Sequence, residues 1–82
     1  MARQEELAAI ITAENGKPLG EARGEVGFAA SFFQWYAEEV RRSYGEVIPS
    51  PDPRKRFLTL RQPLGVVALI TPWNFPIGML GR

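Results

Sequence analysis

Leu64-Gly65-Val66-Val67-Ala68-Leu69-Ile70-Thr71-Pro72-Trp73-Asn74-Phe75-Pro76 is the stretch whose reading decides the fold. From Gly65 to Ile70 it is a continuous apolar run, with the glycine at one end and Pro72 beyond the other. Such a run predicts a strand buried on both faces, and hence a parallel sheet in an α/β protein. Pro72 and Pro76 then bracket Trp73, Asn74 and Phe75. Neither proline carries an amide donor, so the chain is expected to leave the sheet abruptly. Trp73 and Asn74 therefore belong just beyond the carboxyl end of a strand. In open α/β sheets ligands bind there, because a rigid layer holds the loops while their side chains face a crevice.

Upstream, the pattern becomes helical. Residues 2–15 predict a first helix, with Leu7, Ile10 and Ile11 on one stripe, and Gly16 supplies a left-handed stop before Lys17-Pro18. A second and longer helix is expected from Pro18 to Tyr44, since Ala22, Val26, Ala29 or Ala30, Phe33, Tyr36 or Ala37, Val40 and Tyr44 recur at steps of three and four. Phe28, Phe32 and Trp35 widen its apolar surface, which suggests contacts on two sides. These aromatics read as core in preference to a ligand box. Gly20, Gly24 and Gly27 each cost roughly 1 kcal/mol relative to alanine inside a helix, so a close-packed neighbour is expected there.

Between Gly45 and Pro63 the pattern alternates. Val47-Ile48, the prolines 49, 51 and 53, and Phe57-Leu58-Thr59-Leu60-Arg61 predict two extended segments joined by a proline-rich turn, a hairpin at about 45–63. Arg54-Lys55-Arg56 at the turn reads as a solvated loop, because no interleaved aromatics or wider basic patch accompany it. After Pro76, Ile77-Gly78-Met79-Leu80-Gly81-Arg82 predicts the opening of a further helix.

The 82 residues have 45% hydrophobic and 23% charged content and a net charge of +1, the composition of one small globular unit. So balanced a charge gives no ground for a nucleic-acid or anionic-membrane partner. Cysteine and histidine are both absent from the sequence, which removes from these residues disulfides, thiolate nucleophiles, an imidazole base and the usual transition-metal ligands. No stretch reaches the roughly 20 apolar residues that span a bilayer. The first residues lack the apolar core of a secretion signal, so a reducing compartment is expected, the cytoplasm or the mitochondrial matrix.

Asn74 is the residue best suited to chemistry. Its side-chain amide donates hydrogen bonds without carrying charge, which suits an oxyanion developing on a carbonyl oxygen. The same side chain could instead cap the following helix or close the turn.

The motif Ile70-Thr71-Pro72-Trp73-Asn74-Phe75-Pro76 resembles the aldehyde dehydrogenase superfamily. Glu14-Asn15-Gly16-Lys17-Pro18, Ala37-Glu38-Glu39 with Arg41-Arg42 and Tyr44-Gly45, and Gln62-Pro63-Leu64-Gly65-Val66 are similar to its succinate-semialdehyde dehydrogenase branch. The resemblance implies an α/β fold of which residues 1–82 are one part: two helices, a hairpin, one buried strand and the start of a further helix. It implies that Asn74 holds the oxyanion formed when a cysteine attacks the aldehyde. Ile70, Thr71, Pro72, Trp73 and Asn74 would line the cleft for NAD or NADP, although no GxGxxG fingerprint occurs. Phe75 and Met79 would face the substrate tunnel, and Arg82 would pair with the distal carboxylate of succinate semialdehyde, as its planar fork of donors allows. Leu80-Gly81 departs from the aliphatic-threonine pair expected of that branch. The hairpin would serve subunit assembly in a homo-oligomer.

The family's nucleophilic cysteine, its glutamate base and most of its dinucleotide-binding sheet have no counterpart in these residues. The chain accordingly reads as a fragment, a truncated isoform or a partial gene model, inactive by itself. The competing reading is a non-catalytic product that binds full-length subunits.

Overall fold

The computed structural model describes residues 2–82. Helix α1 spans Gln4–Asn15 and α2 spans Leu19–Glu39. A 3-10 turn at Val40–Arg42 follows, then strands β1 (Glu46–Ile48) and β2 (Phe57–Thr59), and a short helix α3 (Gly78–Gly81). Gly16, at φ 77°, ends α1 and donates its amide to the Thr12 carbonyl at 2.9 Å. Only a residue without Cβ adopts that left-handed cap freely. Pro18 then opens α2, where its missing N–H costs nothing.

Both α1 and α3 pack on α2. The core between them is thin: Ala8, Ile11, Ala22 and Val26 are buried, with Leu7 and Ile77 packed against them. Small side chains let the helices approach closely, but they bury little apolar area. The radius of gyration is 19.3 Å, against about 12 Å for a compact chain of this length. Much of the apolar surface therefore lies open.

The predicted hairpin forms. β1 and β2 are antiparallel, with Glu46 opposite Thr59, Val47 opposite Leu58 and Ile48 opposite Phe57. At the turn the Asp52 carboxylate accepts from the backbone and guanidinium of Arg54 and lies 3.8 Å from the Lys55 ammonium. The basic cluster is thus partly neutralised by its own loop. Gly45 enters β1 so close to β2 that a Cβ there would sit 1.6 Å from the Thr59 carbonyl oxygen. Both sides of that contact are backbone, so no side chain can swing away. Gly45→Ala is expected to break the register at a cost on the order of 1–3 kcal/mol. Faster amide hydrogen exchange through Glu46–Ile48 checks it, and unchanged protection would contradict it.

Three sequence expectations need correction. Residues 64–70 form no strand: the backbone carries no ladder, and Leu64, Val66 and Ile70 are almost fully exposed. A strand is defined by a partner, and among the described residues the only sheet is the β1–β2 pair. Trp73 and Asn74 accordingly follow an unpaired extended segment and not a buried strand. The second helix stops at Glu39, five residues short of Tyr44, and tightens into the 3-10 turn, with the Ser43 amide donating to the Val40 carbonyl at 3.2 Å. The close neighbour expected at Gly20 and Gly24 is also missing, since a Cβ at either would meet nothing within 4 Å. The close approaches fall instead on α3, where a Cβ at Gly78 would lie 3.2 Å from the Phe28 ring and one at Gly81 would lie 3.1 Å from the Ala29 carbonyl oxygen.

Candidate functional site

The turn Trp73-Asn74-Phe75-Pro76-Ile77 has no strand or long helix to hold it, and side chains from α1, α2 and their connection hold it instead. Asn15, the last residue of α1, donates from Nδ2 to the Trp73 carbonyl at 2.6 Å. Lys17 donates from Nζ to the Asn74 carbonyl at 2.6 Å, and its ammonium stands 4.2 Å from the centroid of the Phe75 ring. The same ammonium forms an ion pair with Glu25 of α2. The other oxygen of that carboxylate, Oε1, accepts from the amides of Ile77 at 2.9 Å and Gly78 at 3.0 Å.

Glu25 is the unusual member. Its side chain is 1% exposed and that of Lys17 is 10% exposed, so a full ion pair lies largely out of water beneath the turn. Burial of a charge is costly unless partners replace its water. Burial pushes the Glu25 carboxyl upward more than any other single influence. The Lys17 ammonium and the Gly78 and Ile77 amides together outweigh it and hold the pKa below the usual carboxylate range.

An open groove of about 710 Å³ runs over this clamp, and its walls include Lys17, Glu25, Phe28, Trp73, Asn74 and Phe75. The Asn74 side chain is exposed and has no hydrogen-bond partner among the described residues. It does not cap α3, whose start has no side-chain cap. Its amide donors are therefore free while its backbone is fixed.

The groove gathers Trp73, Asn74 and Phe75 but not the other residues singled out in the sequence. Ile70, Thr71 and Pro72 lie on the extended approach to the turn, Ile70 almost fully exposed and Thr71 half-buried. Phe75 precedes α3, and its carbonyl accepts from the Met79 amide at 3.2 Å, so the helical spacing of the pair is kept by the turn. Arg82 carries an exposed side chain, and its carbonyl accepts from the Tyr36 hydroxyl at 3.4 Å. No cluster of residues able to hold a metal ion occurs among the described residues.

Sequence reasoning passed over Lys17 and Glu25. A signal was present: Glu25 falls on the stripe of Ala22, Val26 and Ala29, and a carboxylate at a core position implies a buried partner.

The model of the aldehyde dehydrogenase family matches residues 1–82. The chain belongs to the aldehyde dehydrogenase family. It is 54% identical to the glutarate-semialdehyde dehydrogenase of Pseudomonas putida over 79 residues, 96% of this chain and 16% of that one. It is 59% identical to a probable NADP(+) succinate-semialdehyde dehydrogenase of Sinorhizobium fredii over 78 residues, 95% of this chain and 16% of that one. A crystal structure of an Escherichia coli NADP-dependent enzyme superposes with a TM-score of 0.84 at 52% identity, over 99% of this chain and 17% of that one. The chain thus spans about a sixth of the length of the relatives it matches. The family and the α/β class expected from the sequence are borne out.

Proposed function

We propose that residues 1–82 supply the oxyanion-binding asparagine and one wall of the substrate site to an NAD(P)-dependent aldehyde dehydrogenase that oxidises succinate semialdehyde to succinate. The observation that carries this reading is the state of Asn74, a free side-chain amide on a turn whose backbone is tied down on both sides. A donor held in place before the reaction stabilises developing negative charge without reorganising.

In this reading the Asn74 amide donates to the aldehyde oxygen as it gains charge, while Phe75 and Met79 form the apolar wall beside it. The Arg82 guanidinium receives the distal carboxylate. Ile70, Pro72 and Trp73 offer exposed apolar side chains beside the half-buried Thr71, which fits the ring side of a dinucleotide. Residues 62–81 contain no charged side chain, so cations for its phosphates come from elsewhere. NAD or NADP, when bound, supplies the acceptor for the aldehyde hydride. The thiolate nucleophile is no part of these 82 residues, and without it they give no turnover alone. The names of the relatives, which cover four- and five-carbon semialdehydes, support an aldehyde with a distal acid.

The test is the full-length chain assayed with succinate semialdehyde, glutarate semialdehyde and butanal, each with NAD and with NADP. Arg82→Ala is expected to raise the KM for the two semialdehydes by a factor of about 10 to 100, the worth of a charged hydrogen bond, and to spare butanal. Equal loss on all three aldehydes would remove Arg82 from substrate recognition.

The uncovered run 64–70 and the exposed Val47, Leu58 and Leu60 of the hairpin favour a second reading, in which the short chain binds full-length subunits of a homo-oligomer without catalysing. Co-elution of the 82-residue chain with full-length subunits, at unchanged turnover per intact site, would support it.

A further inference from the structure

We infer that Lys17 and Glu25 are positioning residues for Asn74, a buried ion pair that sets the aim of the oxyanion donor from beneath its own backbone. The inference rests on the oxyanion role proposed above. Its ground is the way the hydrogen bonds are distributed. The Trp73–Gly78 segment accepts from Asn15 and Lys17 at its first two carbonyls and donates to Glu25 at its last two amides. Asn74 itself is gripped only at its carbonyl, by Lys17.

Lys17 fixes the peptide plane that follows Asn74 and Asn15 fixes the plane before it through the Trp73 carbonyl, and the two planes together set the direction of the Asn74 Cα–Cβ bond. The side chain contributes nothing to this, so it stays free to serve a ligand. Glu25 does two things at once. One oxygen holds the Lys17 ammonium in place below Asn74, and the other anchors the far end of the turn at Ile77 and Gly78. Gly78 has no side chain to hold the carboxylate off, since a Cβ there would come within 3.4 Å of Glu25 Cγ. The Phe75 ring covers the ammonium, so water has little access to the pair. A catalytic donor must be held within about 0.5 Å of its productive position, and misplacement by about 1 Å can cost 10²-fold in rate. A charge-assisted chain from the buried Glu25 carboxylate through Lys17 to the Asn74 carbonyl is stiff enough for that task.

The experiment uses the full-length chain carrying Lys17→Met, Lys17→Arg or Glu25→Gln, each alone and each combined with Asn74→Ala. Kinetics are read below the melting transition of every variant. Lys17→Met keeps an apolar stem over Phe75 but loses the ammonium, and kcat is expected to fall about 10- to 100-fold with little change in KM. Lys17→Arg should restore most of the loss. In the Asn74→Ala background the same substitutions should change kcat less than about twofold, because a residue that acts through Asn74 has nothing left to aim. Should Glu25→Gln fail to fold, the Lys17 variants decide. Equal losses of kcat in both backgrounds, or a lowered melting temperature with kcat intact, would overturn the inference and leave the pair a structural tie. Normal turnover of Asn74→Ala alone would overturn the oxyanion reading itself and this inference with it, so the single variant separates the two failures.

Discussion

Asn74→Ala in the full-length enzyme is expected to lower kcat by a factor of about 10² to 10³ while KM for the aldehyde changes little. An oxyanion donor works mainly in the transition state, so its loss appears in turnover and not in ground-state binding. The alternative role, a cap, makes a different prediction: loss on the order of 1 kcal/mol of stability with the folded fraction fully active. The structure weighs against capping, because α3 begins without a side-chain cap and the Asn74 amide has no partner among the described residues. Stability of the variant should therefore be close to that of the parent. Steady-state kinetics with melting curves alongside distinguish the two, and a destabilised variant with normal turnover would remove Asn74 from the chemistry.

The largest expected loss of stability belongs to Glu25→Ala, about 3–5 kcal/mol, because it strands the Lys17 ammonium and two backbone amides without their acceptor. Glu25→Gln should cost less, since a carboxamide oxygen still accepts from Ile77 and Gly78 while the charge is gone. The pH dependence follows from the direction of the Glu25 shift. Its folded-state pKa lies below the ordinary 4.5, so the unfolded chain takes up a proton first as the pH falls. The stabilisation is complete above the ordinary carboxylate pKa and is lost as the pH drops through the lower folded-state value. Glu25→Gln should flatten that acid limb of the stability curve. Denaturant midpoints between pH 3 and pH 7 measure it, and identical acid limbs in parent and variant would show that Glu25 does not titrate with folding.

Several elements were legible from local chemistry alone. Gly16 and Pro18 punctuate the two helices where backbone geometry demands it, and alternation with flanking prolines marks the hairpin. The motif around Trp73-Asn74-Phe75 pointed to the family and to Asn74. The strand over residues 64–70 was read from its apolar, β-branched character. That character describes what the segment can bury against, and nothing among the described residues covers it. Burial on two faces is a property of the neighbours, so a correct pattern led to an element that does not form here. The aromatic face of α2 is exposed for the same reason.

By itself, then, the amino-acid order determined the two helices, the Gly16 stop between them, the hairpin and the residue types at the Trp73–Phe75 turn, because each depends on φ/ψ preferences and side-chain spacing within a few residues. Only the tertiary structure decided what holds that turn. Lys17 and Glu25 lie 57 and 52 residues from the backbone groups they bind, and no local periodicity encodes which amide a buried carboxylate will find. That pairing is settled by the packing of α1 and α3 on α2, which removes the water from Glu25 and leaves the Lys17 ammonium and the Ile77 and Gly78 amides as the partners within reach.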